Sequence, residues 1–219
     1  MTKQVLNYCD VQLYESDVAL FLHREWLNDN AMNFYLQYLT QTRASSDILL
    51  MDPAVVSCLL HQCENKDEYE DLARGLNLMM RRVCIIPVTD NNTLDDNSSH
   101  WSLLLYCDGH FRHLDSNAGH NQHAAQQVAK AFELLLQSIG RHDGDGASDR
   151  VEEAIDVPQQ QNGYDCGIYV LLFADYFCSQ LKDTMTLKAF ATPERATRLR
   201  FEEIPKLIEA LRQTEARRG

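Results

Sequence analysis

A turn signal near the middle of the chain, Asp108-Gly109, constrains the fold more than any other feature. Strand-like runs lie on both sides of it, at Trp101–Cys107 and His110–Leu114. An Asp-Gly pair between two such runs is typical of a tight antiparallel hairpin. A further run, Arg82–Val88 (RVCIIPV), is rich in β-branched residues and predicts a buried strand. The chain is therefore expected to contain a sheet with a hairpin.

Helical signals occupy most of the remaining sequence. Asn28 and Asp52 are residue types that cap helices, and Pro53 fits a first helical turn. The residues before Val18–Phe21 predict a short helix, and Val18–Phe21 itself predicts an extended segment. Helices, then strands, then helices predict one α+β domain over residues 1–219. The other predicted elements are helices at Lys66–Arg74, Gln122–Ile139, Cys166–Gln180 and Phe201–Gln213, a short strand at Val151–Ile155, and loops at Thr89–Ser99 and Gly140–Asp149.

The composition argues against several classes of protein. A net charge of −12 does not suit a nucleic-acid-binding protein, which needs a basic face for phosphates. The arginine-rich stretches Arg195–Arg200 and Arg212–Arg218 predict helix surface and tail. No apolar run approaches the ~20 residues that span a bilayer, and the N-terminus lacks a secretory signal. We expect a monomer in the cytoplasm, the nucleus or both, with neither nucleic acid nor membrane as a partner.

The seven cysteines predict neither a disulfide framework nor a metal site. Their number is odd and no Cys-x-x-Cys pair occurs, so a reducing compartment fits best. Three groups contain metal-ligand residue types without a standard zinc-site spacing: His110-x-x-His113, His120-x-x-His123 and Cys58-x-x-His61-x-Cys63. On a strand, His110 and His113 also point to opposite faces. We expect no metal and no other cofactor.

The hairpin brings a histidine and an aspartate to one face of the sheet. With a two-residue turn, Ser102 lies opposite Asp115. His100 lies two residues before Ser102, on the same face, because strand side chains alternate. The α-carbons of His100 and Asp115 are then roughly 7–8 Å apart, a gap that imidazole and carboxylate can bridge. In nucleophilic catalysis, such a carboxylate orients the general base.

Cys166 stands where a polar loop meets a predicted buried helix. The sequence over residues 159–167 is QQQNGYDCG. A helix N-terminus stabilises a thiolate through its partial positive charge and its free N–H groups. Gly167 lowers helix propensity, which makes sense where a substrate or another backbone comes close. Cys166 is therefore a candidate nucleophile, and the alternative is a buried structural cysteine.

Four motifs follow one another along the chain: Trp26-Leu27-Asn28-Asp29, His100-Trp101, Asp115-Ser116 and the eight residues 160–167 (QQNGYDCG). Together they resemble the ubiquitin-like-protein-specific cysteine proteases, the sentrin-protease family. The resemblance implies a papain-like α+β architecture, with a helical N-terminal part and a central mixed sheet flanked by helices. It also implies a thiol protease that works without a cofactor.

The resemblance assigns catalytic roles by position. The nucleophile, the base and the orienting acid match Cys166, His100 and Asp115. Gln160 matches a glutamine whose N–H helps to form the oxyanion hole. Gln159 and Gln161 remain rival candidates, because spacing alone does not exclude them.

The resemblance also implies a substrate cleft. Trp26 and Trp101 match tryptophans that line a narrow tunnel for a Gly-Gly tail, from which the indoles exclude larger side chains. Asn28 and Asp29 belong to the substrate-binding segment, and Asp29 could pair with the arginine that precedes Gly-Gly in Nedd-type tails. We also expect Thr89–Ser99 to be mobile in the free enzyme and to become ordered over a bound tail.

Within the family, the chain resembles the deneddylase branch. Tyr164 precedes Asp-Cys-Gly, where SUMO proteases more often carry serine, and the catalytic motifs begin near the N-terminus. Asn30-Ala31 departs from the deneddylase pattern, and Phe34-Tyr35 is similar to the SUMO branch. We expect cleavage after the Gly-Gly of a Nedd-type modifier, in precursors, in conjugates with lysines, or in both. The alternatives are a SUMO-specific protease, a catalytically inactive module that binds a ubiquitin-like protein, and an acyl- or acetyltransferase.

Overall fold

The computed structural model describes residues 3–90, 100–142, 146–179 and 184–217. Its strands are β1 (Gln4–Tyr8), β2 (Val11–Tyr14), β3 (Ile48–Leu50), β4 (Val83–Thr89), β5 (Trp101–Cys107), β6 (His110–Leu114) and β7 (Glu152–Glu153). Its helices are α1 (Glu15–Leu22), α2 (Asp29–Thr42), α3 (Pro53–His61), α4 (Lys66–Gly75), α5 (Gln122–Ser138), α6 (Cys166–Cys178), α7 (Leu187–Phe190), α8 (Pro193–Arg198) and α9 (Ile204–Ala216). A π-helical turn, Leu199–Glu203, joins α8 to α9, and 3₁₀ turns lie at Leu78–Met80 and Ala147–Arg150.

A mixed sheet with the strand order β3-β4-β5-β6-β7 separates two hydrophobic cores. The three central strands are antiparallel, and the edge strands β3 and β7 pair in parallel. Leu103 and Leu105 of β5 face α2 and α6, whereas Leu104 and Tyr106 face α3, α4 and α5. Alternate side chains of one strand therefore enter opposite cores, as the pleat requires. The predicted α+β class is confirmed.

The hairpin β5–β6 has the predicted turn. Cys107 pairs with His110, and the φ values of Asp108 and Gly109 are 47° and 84°. Positive φ at both central residues is typical of a type I′ turn, whose twist matches that of the strands. The pairing then continues without a bulge to the end of β6, so the turn determines which residues meet at the far end.

The prediction for the N-terminus is wrong. Residues 4–14 form the hairpin β1–β2 instead of a helix, and the predicted extended segment lies in helix α1. The turn consists of Cys9 and Asp10, with φ values of 49° and 67°, and it lacks the glycine that usually marks such a hairpin. Packing against the rest of the protein stabilises both β2 and α1, because Leu13 of β2 and Phe21 of α1 are completely buried.

The helix start signals at Asn28 and Asp52 are confirmed. Asn28 Oδ1 accepts a hydrogen bond from Ala31 N–H over 2.8 Å, and Asp52 Oδ1 accepts one from Ala54 N–H over 2.8 Å. The predicted strand Val151–Ile155 shortens to the two residues of β7. Residues 91–99 of the predicted loop Thr89–Ser99 lie outside the described residues.

The C-terminal part contains more helix than the sequence predicts. The side chains of Thr186 and Thr192 cap α7 and α8, two helices that the hydrophobic pattern does not reveal. The helix predicted at Phe201–Gln213 begins as the π-helical turn and continues as α9. Arg200, predicted on a helix surface, is completely buried. Among the described segments, no helix has both the length and the apolar character for crossing a bilayer.

Candidate active site

His100 and Asp115 meet at one end of the sheet. His100 directly precedes β5 and Asp115 directly follows β6, so the hairpin brings both side chains to the same end. The imidazole Nε2 donates a hydrogen bond to Asp115 Oδ1 over 2.6 Å, and both residues are buried. The structure therefore contains the contact that the hairpin register predicts.

The backbone after β6 surrounds the carboxylate of Asp115 with donors. Asn117 N–H donates to Oδ1 over 2.9 Å, and the N–H groups of His120 and Asn121 donate to Oδ2 over 3.1 and 3.2 Å. Burial raises the pKa of Asp115, but hydrogen bonds from His100 and from the backbone outweigh it and hold the pKa below its usual value. The carboxylate is therefore ionised and fixed in position.

Cys166 is the first residue of α6, and its thiol is hydrogen-bonded to His100. Burial lowers the pKa of His100, but the interactions with Asp115 and Cys166 outweigh it and raise the pKa to about 9. The imidazole is therefore a cation at neutral pH. Because Nε2 binds Asp115, Nδ1 is the ring nitrogen on the side of Cys166. The three predicted residues thus form a continuous series of thiol, imidazole and carboxylate.

Gln160 is attached at two points to the residue after Asp115. Its backbone N–H donates to the Ser116 carbonyl over 2.8 Å, and its Oε1 accepts from Ser116 Oγ over 2.8 Å. Its Nε2 donates to the Asn162 carbonyl over 2.6 Å. An amide nitrogen has two N–H groups, so Gln160 can donate to Asn162 and to a second acceptor at once.

The neighbouring glutamines have different surroundings. Gln159 Nε2 donates to the Asp115 carbonyl over 2.9 Å, and Gln159 Oε1 accepts from Ala118 N–H over 2.9 Å. Gln159 therefore braces the loop after β6 with both ends of its amide. Gln161 is exposed. These contacts favour Gln160 over its two neighbours as the oxyanion donor.

The two predicted tryptophans of the cleft lie in different environments. Trp101 is 3% exposed, and its indole N–H donates to the Leu27 carbonyl over 2.7 Å. Trp26 is 49% exposed, and its indole N–H donates to the Gly163 carbonyl. Trp26 therefore joins the segment before α2 to the loop before Cys166. Trp101 binds the same segment from a buried position.

Gly167 allows Leu27 to lie against the start of α6. A Cβ at position 167 would come within 3.1 Å of three side-chain atoms of Leu27. That distance is shorter than an ordinary contact, so any larger residue would displace Leu27. The sequence predicts that a substrate or another backbone approaches Gly167, but in the structure a side chain of the same protein does so.

Asn28 and Asp29 are adjacent, but the Asn28 side chain binds within the protein and the Asp29 side chain lines a cleft. Asn28 caps α2, and its amide also donates to Asp17 Oδ1 over 2.8 Å, so both ends of its side chain bind within the protein. Asp29 lines a small cleft with Trp101. Burial and the neighbouring Asp52 carboxylate raise the pKa of Asp29. A cation bound in this cleft would therefore be stabilised by Asp29.

A buried polar chain behind the site was not predicted from the sequence. His113 Nδ1 donates to Glu153 over 2.8 Å, and Ser102 Oγ donates to His113 Nε2 over 2.9 Å. Ser102 Oγ accepts in turn from Asn121 Nδ2 over 3.1 Å, and Asn121 N–H is a donor to Asp115. This series of hydrogen bonds therefore supports the loop that holds the Asp115 carboxylate. The sequence signal that could have revealed these hydrogen bonds is the presence of polar residues, Ser102 and His113, at buried positions of apolar strands.

The histidine and cysteine groups weighed as metal ligands do not assemble. His110 is exposed and His113 is buried, which confirms that they face opposite sides of β6. Within the described ranges, no three side chains of the His, Cys, Asp or Glu type converge as a metal site would require. In the described part of the chain, none of the seven cysteines forms a disulfide bond.

A cysteine sulfur, an imidazolium and a carboxylate in series, with the sulfur at a helix N-terminus, form the site of a thiol hydrolase. Comparison with known proteins supports this class of enzyme. Residues 25–202 match the Ulp1 protease family, C-terminal catalytic domain. The chain belongs to this family and is a cysteine protease.

Two relatives each share about a third of their aligned residues with the chain. Over 179 residues it is 34% identical to NEDD8-specific protease 1 of Arabidopsis thaliana, covering 80% of this chain and 75% of that protein. Over 210 residues it is 33% identical to human sentrin-specific protease 8, covering 92% and 95%. The C-terminal Ulp1 protease domain, solved in complex with SMT3, the yeast orthologue of SUMO, matches with a TM-score of 0.74 at 20% identity. That match covers 96% of this chain and 89% of the solved chain, and it confirms the fold.

Proposed function

We propose that the protein cleaves after the C-terminal Gly-Gly of a Nedd-type ubiquitin-like modifier, in precursors, in conjugates with substrate lysines, or in both. The observation that carries the proposal is the buried series of Cys166, His100 and Asp115 beside the exposed indole of Trp26. The names of the two relatives, NEDD8-specific protease 1 and sentrin-specific protease 8, support it.

The first half of the proposed reaction forms a thioester. The Cys166 thiolate attacks the carbonyl carbon of the terminal glycine, and negative charge develops on the carbonyl oxygen. A side-chain N–H of Gln160 and a backbone N–H at the start of α6 donate to this oxygen. His100, held as a cation by Asp115, gives its proton to the leaving amine, so the C–N bond breaks and a neutral amine departs.

The second half releases the modifier. His100 is now neutral and takes a proton from a water molecule, which attacks the thioester carbonyl. The same N–H donors stabilise the second oxyanion. Cleavage of the C–S bond frees the glycine carboxylate and the Cys166 thiolate. Asp115 keeps the imidazole in one orientation through both halves, so the nitrogen facing Cys166 is the one that exchanges protons.

Trp26 explains why the proposed tail ends in glycine. Its indole extends from the segment before α2 to the Gly163 carbonyl, so the approach to Cys166 passes beside a large, partly exposed aromatic ring. Trp101 is nearly buried and holds the Leu27 carbonyl, so its role in a cleft is to support the segment that carries Trp26. A glycine tail, which has no side chains, would pass this ring without a clash.

Asp29 is the proposed determinant of the Nedd-type tail. Its carboxylate lies close enough to Asp52 for repulsion to raise the pKa of Asp29. An arginine side chain from the tail would relieve this repulsion and form a charge-assisted hydrogen bond. SUMO tails lack that arginine. Ubiquitin has it, so other contacts with the globular part of the modifier must exclude ubiquitin.

The SUMO-specific alternative loses part of its support. Phe34 and Tyr35, which are similar to the SUMO branch, are 0% and 3% exposed and belong to the core. Ala31 is also completely buried, and the Asn30 amide donates to Asp17 over 2.7 Å. Ala31, Phe34 and Tyr35 therefore pack in the protein interior, and the Asn30 side chain binds within the protein, so these positions have structural roles of their own.

Three further expectations belong to the proposal. Seven cysteines without a disulfide among the described residues suit a reducing compartment, so we place the protein in the cytoplasm, the nucleus or both. We also propose a monomer, and one catalytic domain over residues 1–219.

The test is cleavage of three fusions that differ only in the modifier: Nedd-type, SUMO and ubiquitin. We expect kcat/KM to be highest for the Nedd-type fusion by about tenfold or more, which equals ~1.4 kcal/mol of transition-state binding. Cys166→Ala should abolish cleavage and retain binding of the modifier. A tenfold preference for SUMO would contradict the Nedd-type assignment, and near-normal turnover by Cys166→Ala would contradict the mechanism.

A charge-matched pair of variants tests the role of Asp29. Asp29→Asn should lower kcat/KM for tails that contain the arginine and should leave tails without it unchanged. Asp67→Asn removes one exposed charge in the first turn of α4 and serves as the control. Equal losses in both variants would assign the effect to net charge rather than to tail recognition.

A further inference from the structure

Arg200 is a buried cation that joins distant parts of the chain. Its side chain is 0% exposed and projects from the π-helical turn Leu199–Glu203. In that turn, Ile204 N–H donates to the Leu199 carbonyl, five residues earlier. A π-helical turn is rare and is often found at a functional site. A buried charge is stable only where it is paired and hydrogen-bonded, so the partners of Arg200 indicate its purpose.

One set of partners lies directly before the nucleophile. Arg200 Nε donates to Asp165 Oδ1 over 2.6 Å, and Nη2 donates to the Tyr164 carbonyl over 2.7 Å. The guanidinium also lies over the Tyr164 ring, 5.3 Å from its centroid. Asp165 and Tyr164 are the two residues before Cys166. Arg200 therefore holds the entry to α6 through an ion pair, a backbone bond and a ring contact.

The other set lies in the part of the chain that leads to Trp26. Arg200 Nη1 donates to the carbonyl oxygens of Leu20 and Glu25, over 2.8 and 3.1 Å. Leu20 lies in α1, and Glu25 is the residue before Trp26. One guanidinium thus binds the backbone on both sides of the approach to Cys166.

These two sets enclose the indole bridge. Trp26 donates to the Gly163 carbonyl, and Arg200 binds Glu25 and Tyr164, each one residue away from the bridge. We infer that Arg200 is a positioning residue, which holds the Trp26 side of the cleft at a fixed distance from the loop that carries the nucleophile. This inference rests on the proposed function for its meaning, and the second of its two tests is independent of that function.

The contacts require the shape of arginine. A guanidinium has five N–H donors in a rigid plane, and three of its nitrogens are used here in three directions. A lysine ammonium carries the same charge on one nitrogen, so it can keep the ion pair with Asp165 but cannot span both backbones. Arg200→Lys therefore separates the charge of the residue from its geometry.

The test compares Arg200→Lys with Arg198→Lys, which makes the same change two residues earlier. Arg198 is exposed and pairs with Glu203 over 2.8 Å. We expect Arg200→Lys to raise KM for the Nedd-type fusion and to lower kcat/KM by about tenfold or more. Alkylation of Cys166 by iodoacetamide, a small reagent without a tail to bind, should stay close to the wild-type rate when it is followed by mass spectrometry of the Cys166 peptide. Unchanged KM in a folded Arg200→Lys protein would overturn the inference, as would equal losses in cleavage and alkylation.

A second readout does not depend on any activity. Trp101 is buried, so acrylamide quenching of tryptophan fluorescence reports mainly on Trp26, and Trp26→Phe identifies its share. Arg200→Lys should increase the quenching of Trp26, whereas Arg198→Lys should not. Unchanged quenching in Arg200→Lys would also refute the positioning role. If the wild type cleaves none of the three fusions, the proposed function fails while the quenching result still decides the inference.

Discussion

Replacing Asp115 by asparagine keeps the size of the side chain and removes its charge. Oδ1 accepts from His100 and from Asn117 N–H, and Oδ2 accepts from the N–H groups of His120 and Asn121. An amide has only one acceptor oxygen. In either orientation its NH₂ group therefore faces two donors, which lose their acceptor.

The contacts set the size of the expected effect. The donors of His100 and Asn121 are buried, whereas the N–H groups of Asn117 and His120 are only partly buried. Either orientation therefore leaves one buried donor without an acceptor, which costs ~1–3 kcal/mol. Domains are stable by ~5–15 kcal/mol, so the variant should still fold at low temperature. In a chain of this size each kcal/mol lowers Tm by ~2–4 °C. The triad precedent gives a fall in kcat of up to ~10⁴, because His100 loses the anion that orients and charges it.

The matched control is Asp108→Asn, the same substitution in the exposed turn of the same hairpin. Asn-Gly suits a type I′ turn as well as Asp-Gly does, so Tm and kcat should change little. Both variants are assayed for kcat on the Nedd-type fusion and for Tm. A kcat for Asp115→Asn close to that of the wild type would refute the orienting role of Asp115. Similar losses in the control would show that the hairpin, rather than the carboxylate, is responsible.

Two more predictions follow from the site. Gln160→Ala should lower kcat by on the order of 10²–10³ through loss of an oxyanion donor, whereas Gln161→Ala should have little effect. Equal losses in the two variants would contradict the choice of Gln160. The pKa of His100 is raised to about 9 in the folded protein, so its stabilising effect is present below its ordinary pKa of ~6.5 and is lost as the pH rises through 9. Tm should therefore fall more steeply between about pH 7 and 10 in the wild type than in His100→Gln; parallel curves would show that His100 is not the group responsible.

The sequence predicts the pairing of His100 and Asp115 because each step depends on neighbours along the chain. Asp108-Gly109 determines the turn, the turn determines the register, and the alternation of strand side chains determines which residues share a face. Cys166 is found in the same way, since a polar loop followed by a long apolar run marks the start of a buried helix.

Other parts of the site depend on residues far apart in sequence. Among three adjacent glutamines, Gln160 is distinguished only by its contacts with Ser116, which lies across the site. Gly167 has low helix propensity in any context, and only the structure shows that Leu27 lies against it. The hairpin β1–β2 was missed because its turn lacks glycine and its burial comes from packing against the rest of the chain.

The sequence by itself determined the α+β class, the hairpin, the helix that begins at Cys166 and the residue types of the candidate catalytic series. These features follow from periodicity, turn chemistry and helix caps, which act over a few residues. Only the tertiary structure decided the environment of Arg200, which the sequence places on a helix surface beside other arginines. A guanidinium is buried where folding brings compensating acceptors to it, and those of Arg200 come from Leu20, Glu25, Tyr164 and Asp165. No local pattern along the chain brings these four residues together.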